Sequence, residues 1–301
     1  MLKKISEYDV VYISYDEPNK EQHWARIKRM VPHAQRVDGV TGFDAAHKAA
    51  AALATTERVV TIDGDNELLD NFITMEIDDE VVPKDAVVSW SCRNHINNLV
   101  YGNGGVKLWP VHVINEMRTH EVAESDRLKL DFCWDLDYLQ RNEVLSVARP
   151  NGSPLQAFRA GLREGVKMSL VNGALINDQQ TFKQQLFHLN LHRLKIWMSV
   201  GADVQHGDWA IYGSRLGFWL ANFDDFDITL INDYEYIRKM YNEAFYAIRV
   251  WDNLMIEIET LGESIARASD LEVEYFDYLQ SALFKSKFFN GPRVANPRPI
   301  V

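Results

Sequence analysis

Apolar positions in the first ninety residues follow two alternating patterns. Short runs rich in β-branched residues occupy Asp9 to Ser14, Ala34 to Val40, Arg58 to Ile62 and Ala86 to Ser91, which is how strands read. Between them, Asn19 to Met30 and the alanine-rich stretch Phe43 to Leu53 carry helical spacing and helix-forming residues. Strands separated by single helices predict parallel β-α-β units, and parallel strands covered on both faces are apolar throughout. The texture changes after about residue 150, where Pro150-Asn151-Gly152-Ser153-Pro154 signals a loop. Beyond that loop the spacing is mostly helical. One helix is expected over Thr181 to Ser199 and a longer one from Asn232 or Asp233 to near Gly262, with an apolar stripe at Tyr234, Ile237, Tyr241, Phe245, Ile248, Met255 and Ile258. The expected fold class is α/β: a mostly parallel sheet flanked by helices over residues 1–150, and a mainly helical C-terminal part over residues 151–301.

Composition narrows this picture. With 47% hydrophobic residues in 301, the chain can bury one large or two modest cores, so disorder is not expected. No run of about 18 apolar residues occurs, and the start, Met1 to Glu7, is too polar for a signal peptide. The expectation is a cytoplasmic protein with no membrane partner. A formal charge of −11 argues against indiscriminate attraction to nucleic acid. Charge is uneven, however: Lys285, Lys287, Arg293 and Arg298 form a basic tail, and Arg149, Arg159, Arg163 and Lys167 a basic segment. Either is a candidate phosphate contact or plain solvated surface. Cys92 and Cys133 lie in apolar segments without metal-type spacing, so both are expected as buried, reduced thiols.

The third strand runs into Asp63-Gly64-Asp65. Two carboxylates two residues apart, on a tight glycine turn, offer hard oxygen ligands to a divalent cation that also holds a diphosphate. Asp135-Leu136-Asp137 and Asp225-Phe226-Asp227 share the spacing, but neither ends an apolar strand within a β-α-β series. Position selects the first, because ligands of parallel sheets bind beyond the carboxyl ends of the strands.

At this point the residues resemble a family. A first strand opening on Tyr15-Asp16, a helix holding Asp44, Ala46, His47 and Lys48, and "TIDGDN" at a third strand are similar to the GT-A glycosyltransferases, whose fold places a nucleotide-sugar over the sheet. The resemblance implies that Asp63 and Asp65 bind Mn²⁺ or Mg²⁺ and the donor diphosphate, that Tyr15 and Asp16 meet base and ribose, and that Lys48 reaches a phosphate. It extends through "NNLVYGNGGVKLWP", where Gly104, Gly105, Lys107 and Trp109 would shape the acceptor side. Adjacent glycines admit a ligand to the backbone, and an aromatic ring offers a flat face to a sugar or base. This segment, followed by "MRTHE", also resembles phage-encoded glycosyltransferases, including DNA-modifying ones. That implies action in a host cytoplasm on double-stranded DNA, at a hydroxymethylated pyrimidine or a sugar already on it, with the base received by an aromatic such as Trp109 if it leaves the stack.

The helical half carries no matching motif. An inverting enzyme needs a carboxylate base, and Glu121 and Asp137 are the acids nearest the acceptor segment in sequence; a retaining enzyme does without one, and helix capping is the plainer role for either acid. His188 and His192 stand four apart on an expected helix, and His206 precedes Gly207-Asp208-Trp209; each is a candidate further metal ligand. The alternatives are a glycosyltransferase acting on a glycan or small molecule, a nucleotidyltransferase, which shares an acidic metal site, and a non-enzymatic binding module.

Overall fold

The computed structural model describes residues 2–121, 123–125, 129–131, 133, 136–171, 173–176, 182–248 and 251–288. The described residues divide into two compact units: residues up to Asn94 together with Val100–Arg149, and His95–Leu99 together with the chain from Pro150 to Phe288.

In the first unit, β1 (Leu2–Lys4) precedes β2 (Asp9–Ser14), α1 (Lys20–Met30), β3 (Gln35–Asp38), α2 (Phe43–Ala52) and β4 (Arg58–Asp63). Then come β5 (Asn66–Leu68), β6 (Glu76–Asp78), β7 (Val87–Asn94), β8 (Val106–Pro110), α3 (Val111–Glu116) and β9 (Tyr138–Ala148). Among the described residues, β1 and β6 make a small ribbon, and a seven-stranded sheet runs in the order β3-β2-β4-β8-β7-β9-β5. The pairs β2/β3, β2/β4 and β7/β9 are parallel, whereas β4/β8, β7/β8 and β5/β9 are antiparallel. The sheet is therefore mixed, not mostly parallel. Single-helix crossovers join β2 to β3 and β3 to β4; no helix lies between β7 and β8, and a strand returning without a crossover pairs antiparallel.

Strand β4 is buried from Val59 to Ile62, and apolar there except for Thr61, because both of its faces are covered. Val60 and Ile62 pack with Tyr12, Ile27, Val88, Trp90 and Leu108 on the α1 side. Val59 packs with Val11, Ala50, Val87, Trp109 and Ile114 on the side of α2 and α3. Each such fully buried aliphatic side chain contributes about 1.5–3 kcal/mol of transfer free energy, so β4 is anchored up to the residue where its polar end begins.

The second unit is helical: α4 (Pro154–Lys167), α5 (Phe182–Gln185), α6 (His188–Trp197), α7 (Gly207–Phe223), α8 (Tyr234–Ala247), α9 (Trp251–Ser269) and α10 (Tyr278–Phe288). Ser153 caps α4 by accepting from Gln156 N, with Pro154 in the first turn. Helices α4 and α7 cross closely. Gly161 and Gly165 lie on the carbonyls of Ala210 and Ser214, while Gly213 and Gly217 lie on those of Phe158 and Leu162, so a β-carbon at any of the four would overlap backbone.

The helix expected over Thr181 to Ser199 is two helices, α5 and α6, divided where Phe187 leaves the helical region (φ −56°, ψ 125°); Thr181 lies outside the described residues. The long C-terminal helix is likewise two, and α9 runs past Gly262 to Ser269. Gly262 sits mid-helix because a side chain there would collide with the buried Arg215 guanidinium, whose Nη1 donates to Ile258 O at 2.6 Å and Nε to Met198 O at 2.9 Å. Among the described residues no helix is long and apolar enough to cross a membrane.

Candidate functional site

The Asp63-Gly64-Asp65 turn is held through the backbone of all three residues. Asp63 N donates to Gly105 O at 2.9 Å, and Asp65 O accepts from Arg149 N at 2.8 Å. Gly64 O accepts from Tyr12 Oη at 2.6 Å and lies 3.1 Å from Nδ1 of His23, a buried histidine whose pKa burial depresses below its ordinary value. With its backbone fixed in this way, the turn presents its carboxylates in defined positions.

Each carboxylate has a neighbour. Asp63 Oδ2 lies 3.4 Å from Lys107 Nζ. Burial is the strongest single influence and disfavours that ammonium, but the charge and hydrogen bond of Asp63, together with Cys133 and Cys92 nearby, hold the Lys107 pKa above its ordinary value. Asp65 Oδ1 accepts from Asn66 Nδ2 at 2.7 Å, and Asn66 Oδ1 in turn accepts from Ser146 Oγ at 2.7 Å. A third carboxylate, Glu17, stands directly over Gly64, so that a β-carbon at residue 64 would overlap it. Glu17 Oε2 accepts from Tyr15 N at 2.7 Å. Burial, together with Asp65 and Asp16 nearby, raises the Glu17 pKa against the pull of its backbone hydrogen bonds. The glycine of the triplet thus admits an acid from the loop after β2.

The carboxyl ends of the parallel strands β2, β3 and β4 lie side by side. Ser14 Oγ donates to Asp38 Oδ1 at 2.7 Å, Lys20 Nζ donates to the same oxygen at 2.8 Å, and Arg36 Nε donates to Ser14 Oγ at 2.9 Å. Arg36 also grips both oxygens of Glu21, at 3.0 and 2.8 Å. Ser14, Glu17, Lys20, His23 and Asp38 are additions to the sequence-based set. For Ser14 a signal existed, since it ends an expected parallel strand, whereas Asp38 falls inside the expected strand Ala34 to Val40 and ends β3 only in the structure.

Of the other expected site residues, Tyr15 is 40% exposed and its carbonyl accepts from Lys20 Nζ at 2.6 Å; Asp16 beside it is exposed. Lys48 pairs with Asp44 Oδ2 at 2.7 Å one helical turn away, which engages it within α2. Gly104 lies on the backbone of Trp90 and Cys92, and Gly105 against the Asn66 side chain. The space these glycines provide is filled by protein, not left for a ligand. Trp109 is fully buried, edge-on to His47 and Tyr138 at 5.7 and 6.0 Å, with Nε1 donating to Thr61 Oγ1 at 2.9 Å. A tryptophan so enclosed has no face to offer a sugar or base. Lys107, expected on the acceptor side, belongs to Asp63.

Glu121 accepts from Phe43 N at 2.6 Å and Asp44 N at 3.1 Å, capping the first turn of α2 from a distance. Asp137 O accepts from Val87 N at 2.8 Å. The pairings Val87↔Tyr138, Val88↔Leu108 and Arg58↔Pro110 place Asp137 level with the start of β4. That is the opposite end of the sheet from Asp63, so Asp137 is not positioned as the expected base, whereas Glu121 is engaged by the backbone at the start of α2. Asp227 caps a turn through Thr229 N at 2.9 Å; Asp135 lies outside the described residues.

In the helical unit, the rings of His188 and His192 stand 4.7 and 5.8 Å from Phe187 and Phe288. His206 takes a left-handed conformation (φ 60°) at the N-cap of α7, and Asp208 accepts from Tyr275 Oη at 2.9 Å. Of the basic segments, Arg149 pairs with Glu67 at 2.5 Å and Lys285 is buried on Asp203 at 2.5 Å, whereas Arg159 and Arg163 lie over the Tyr234 ring at 4.1 and 5.6 Å. Arg293 and Arg298 lie outside the described residues. Both cysteines are free, and burial pushes the thiols of Cys92 and Cys133 up to about 12 and about 11, which makes them poor nucleophiles.

Among the described residues no group of three or more His, Cys, Asp and Glu side chains is arranged to hold a metal ion. The donor chemistry at the end of β4 nevertheless suits one class of ion. Mg²⁺ and similar hard cations are commonly held by one or two carboxylates with the remaining oxygens supplied by water and substrate phosphates, not by an all-protein cage. Asp63 and Asp65 meet that description. No protein-family model matches the sequence, and no curated protein matches it.

Proposed function

We propose that this protein is a GT-A-type, metal-dependent glycosyltransferase that moves a sugar from a nucleoside diphosphate donor to an acceptor hydroxyl. One observation carries the reading: a carboxylate pair on a rigidly held turn, at the carboxyl end of β4 and beside the carboxyl ends of parallel β2 and β3, where ligands of such sheets bind. Asp63 and Asp65 would hold Mn²⁺ or Mg²⁺ against the donor diphosphate, and Tyr15 and Asp16 border the nucleoside side. The cation supplies Lewis-acid stabilisation of the departing diphosphate. Double-stranded DNA bearing hydroxymethylated pyrimidines is the acceptor proposed, on the resemblance of the Asn97 to Pro110 segment to DNA-modifying phage glycosyltransferases.

The test is incubation with Mn²⁺, a panel of nucleotide-sugars, and hydroxymethylated or ordinary DNA, reading nucleoside masses and released nucleotide. The expected result is a hexose or pentose increment on modified DNA with release of nucleoside diphosphate. Pyrophosphate release would instead assign nucleotidyl transfer, and an increment found only on glycans or small molecules would move the acceptor. Asp65→Asn should abolish donor-dependent turnover at an unchanged Tm; full activity in that variant would remove Asp65 from the site.

A further inference from the structure

Asp63 does not meet its ligand as a bare carboxylate. Lys107 stands directly across from Thr61 in the β4/β8 register, so Thr61, Asp63 and Lys107 project from the same face of the sheet. Its ammonium lies 3.4 Å from Asp63 Oδ2, with the lysine side chain only 8% exposed against 33% for the aspartate. Trp109, two residues along β8 on that face, is fully buried. The lysine is therefore part of the sheet's interior, and the open side of the pair belongs to Asp63.

Charge then distinguishes two states of the site. Asp63, Asp65 and Glu17 bring negative charge to the turn, but Lys107 already engages Asp63, so a divalent cation arriving alone must share that carboxylate with the ammonium. A diphosphate supplies oxygens that the protein lacks and spreads its negative charge over both positive centres. The favourable state holds cation and diphosphate together.

We propose that Lys107 makes capture of the divalent cation conditional on the diphosphate: without it, the ammonium satisfies Asp63 and repels the ion, and with it, cation and ligand bind as a pair. This rests on the donor-site reading above and adds to it a positioning residue and an order of assembly. By reciprocity the cation must raise diphosphate affinity by the same factor as the diphosphate raises cation affinity, about 5- to 150-fold in coupled sites of this kind.

The decisive measurement is Mn²⁺ binding alone, followed by electron paramagnetic resonance, in the wild type, Lys107→Met, Asp63→Asn and the double variant. Lys107→Met keeps the shape of the stem and removes the charge, and should tighten Mn²⁺ binding about tenfold. In the Asp63→Asn background it should gain nothing, an outcome that a merely structural role for the lysine would not produce. Unchanged or weaker Mn²⁺ binding by folded Lys107→Met overturns the proposal. A second measurement needs no variant: at matched free Mn²⁺, saturating methylenediphosphonate should raise the wild-type affinity for Mn²⁺ at least fivefold, and equal affinity in its presence and absence overturns the proposal. Coupled binding without turnover of any nucleotide-sugar would retire the transferase reading and leave Lys107 in its role. Turnover with uncoupled Mn²⁺ binding would do the reverse.

Discussion

Glu121 shows how one carboxylate can be read in two ways and how the two are told apart. As a general base it would be indispensable to an inverting reaction. As the acceptor of the Phe43 and Asp44 N–H groups it satisfies donors that α2 leaves open and places negative charge at the positive end of the helix. Gly42, the N-cap residue, makes no side-chain cap bond of its own, so the distant acid takes that place. Glu121→Ala is expected to lower stability by about 1 kcal/mol, the usual cost of a lost cap, and to leave the turnover and pH profile of the folded enzyme unchanged. Urea denaturation alongside steady-state rates checks both, and loss of turnover at undiminished stability would return Glu121 to the chemistry.

At the scale of elements, the crossing of α4 and α7 is the most exacting packing in the helical unit. Four glycines in two four-residue repeats, Gly161 with Gly165 and Gly213 with Gly217, lie against carbonyls of the opposite helix. Glycine within a helix costs about 1 kcal/mol relative to alanine, so an open site would gain that much from Gly217→Ala. Here the added methyl meets the Leu162 carbonyl, and overpacking costs about 1–3 kcal/mol. A net loss of stability in chemical denaturation is expected; a net gain would show that the helices have room to separate. The same scale explains which parts were readable in the sequence. The elements β2, α1, β3, α2 and β4 announce themselves because β2 and β4 are buried on both faces and each connection carries a helical period. The antiparallel direction of β8 does not, since alternation is blind to strand direction. Gly262 reads as a helix stop when the chain is taken alone, and only Arg215, buried beside it, explains why it is internal. The Asp63-Gly64-Asp65 turn was readable from its position, whereas Lys107 and Glu17 join it through strand register and loop placement, which no local pattern records.

Over the whole molecule, the direction of pH dependence is set by which groups are buried neutral and which are held charged. His47 is buried between Phe43 and Trp109; burial pushes its pKa down to about 4, only partly opposed by the negative charge of Asp63, with Lys107 reinforcing the depression. An unfolded histidine titrates near about 6.5. Between those values the unfolded chain binds more protons than the native one, so stability falls as pH falls from about 6.5 towards 4, by an amount on the order of 3 kcal/mol for this residue. His23, also depressed by burial, adds in the same direction. Paired carboxylates act lower. Against burial, hydrogen bonds from Thr55 and Thr56 hold Asp9 below its ordinary range, and Arg149 does the same for Glu67. Their contribution is complete above the unfolded carboxylate pKa of about 4 and is lost as pH falls through the lower folded values. The profile should therefore have two steps. Replacing His47 with phenylalanine, which keeps the ring stack and removes the titrating group, should flatten the step between about pH 6.5 and 4 and leave the lower one in place. Urea midpoints measured at half-unit intervals of pH resolve the two, and an upper step of undiminished size in His47→Phe would assign it to other groups.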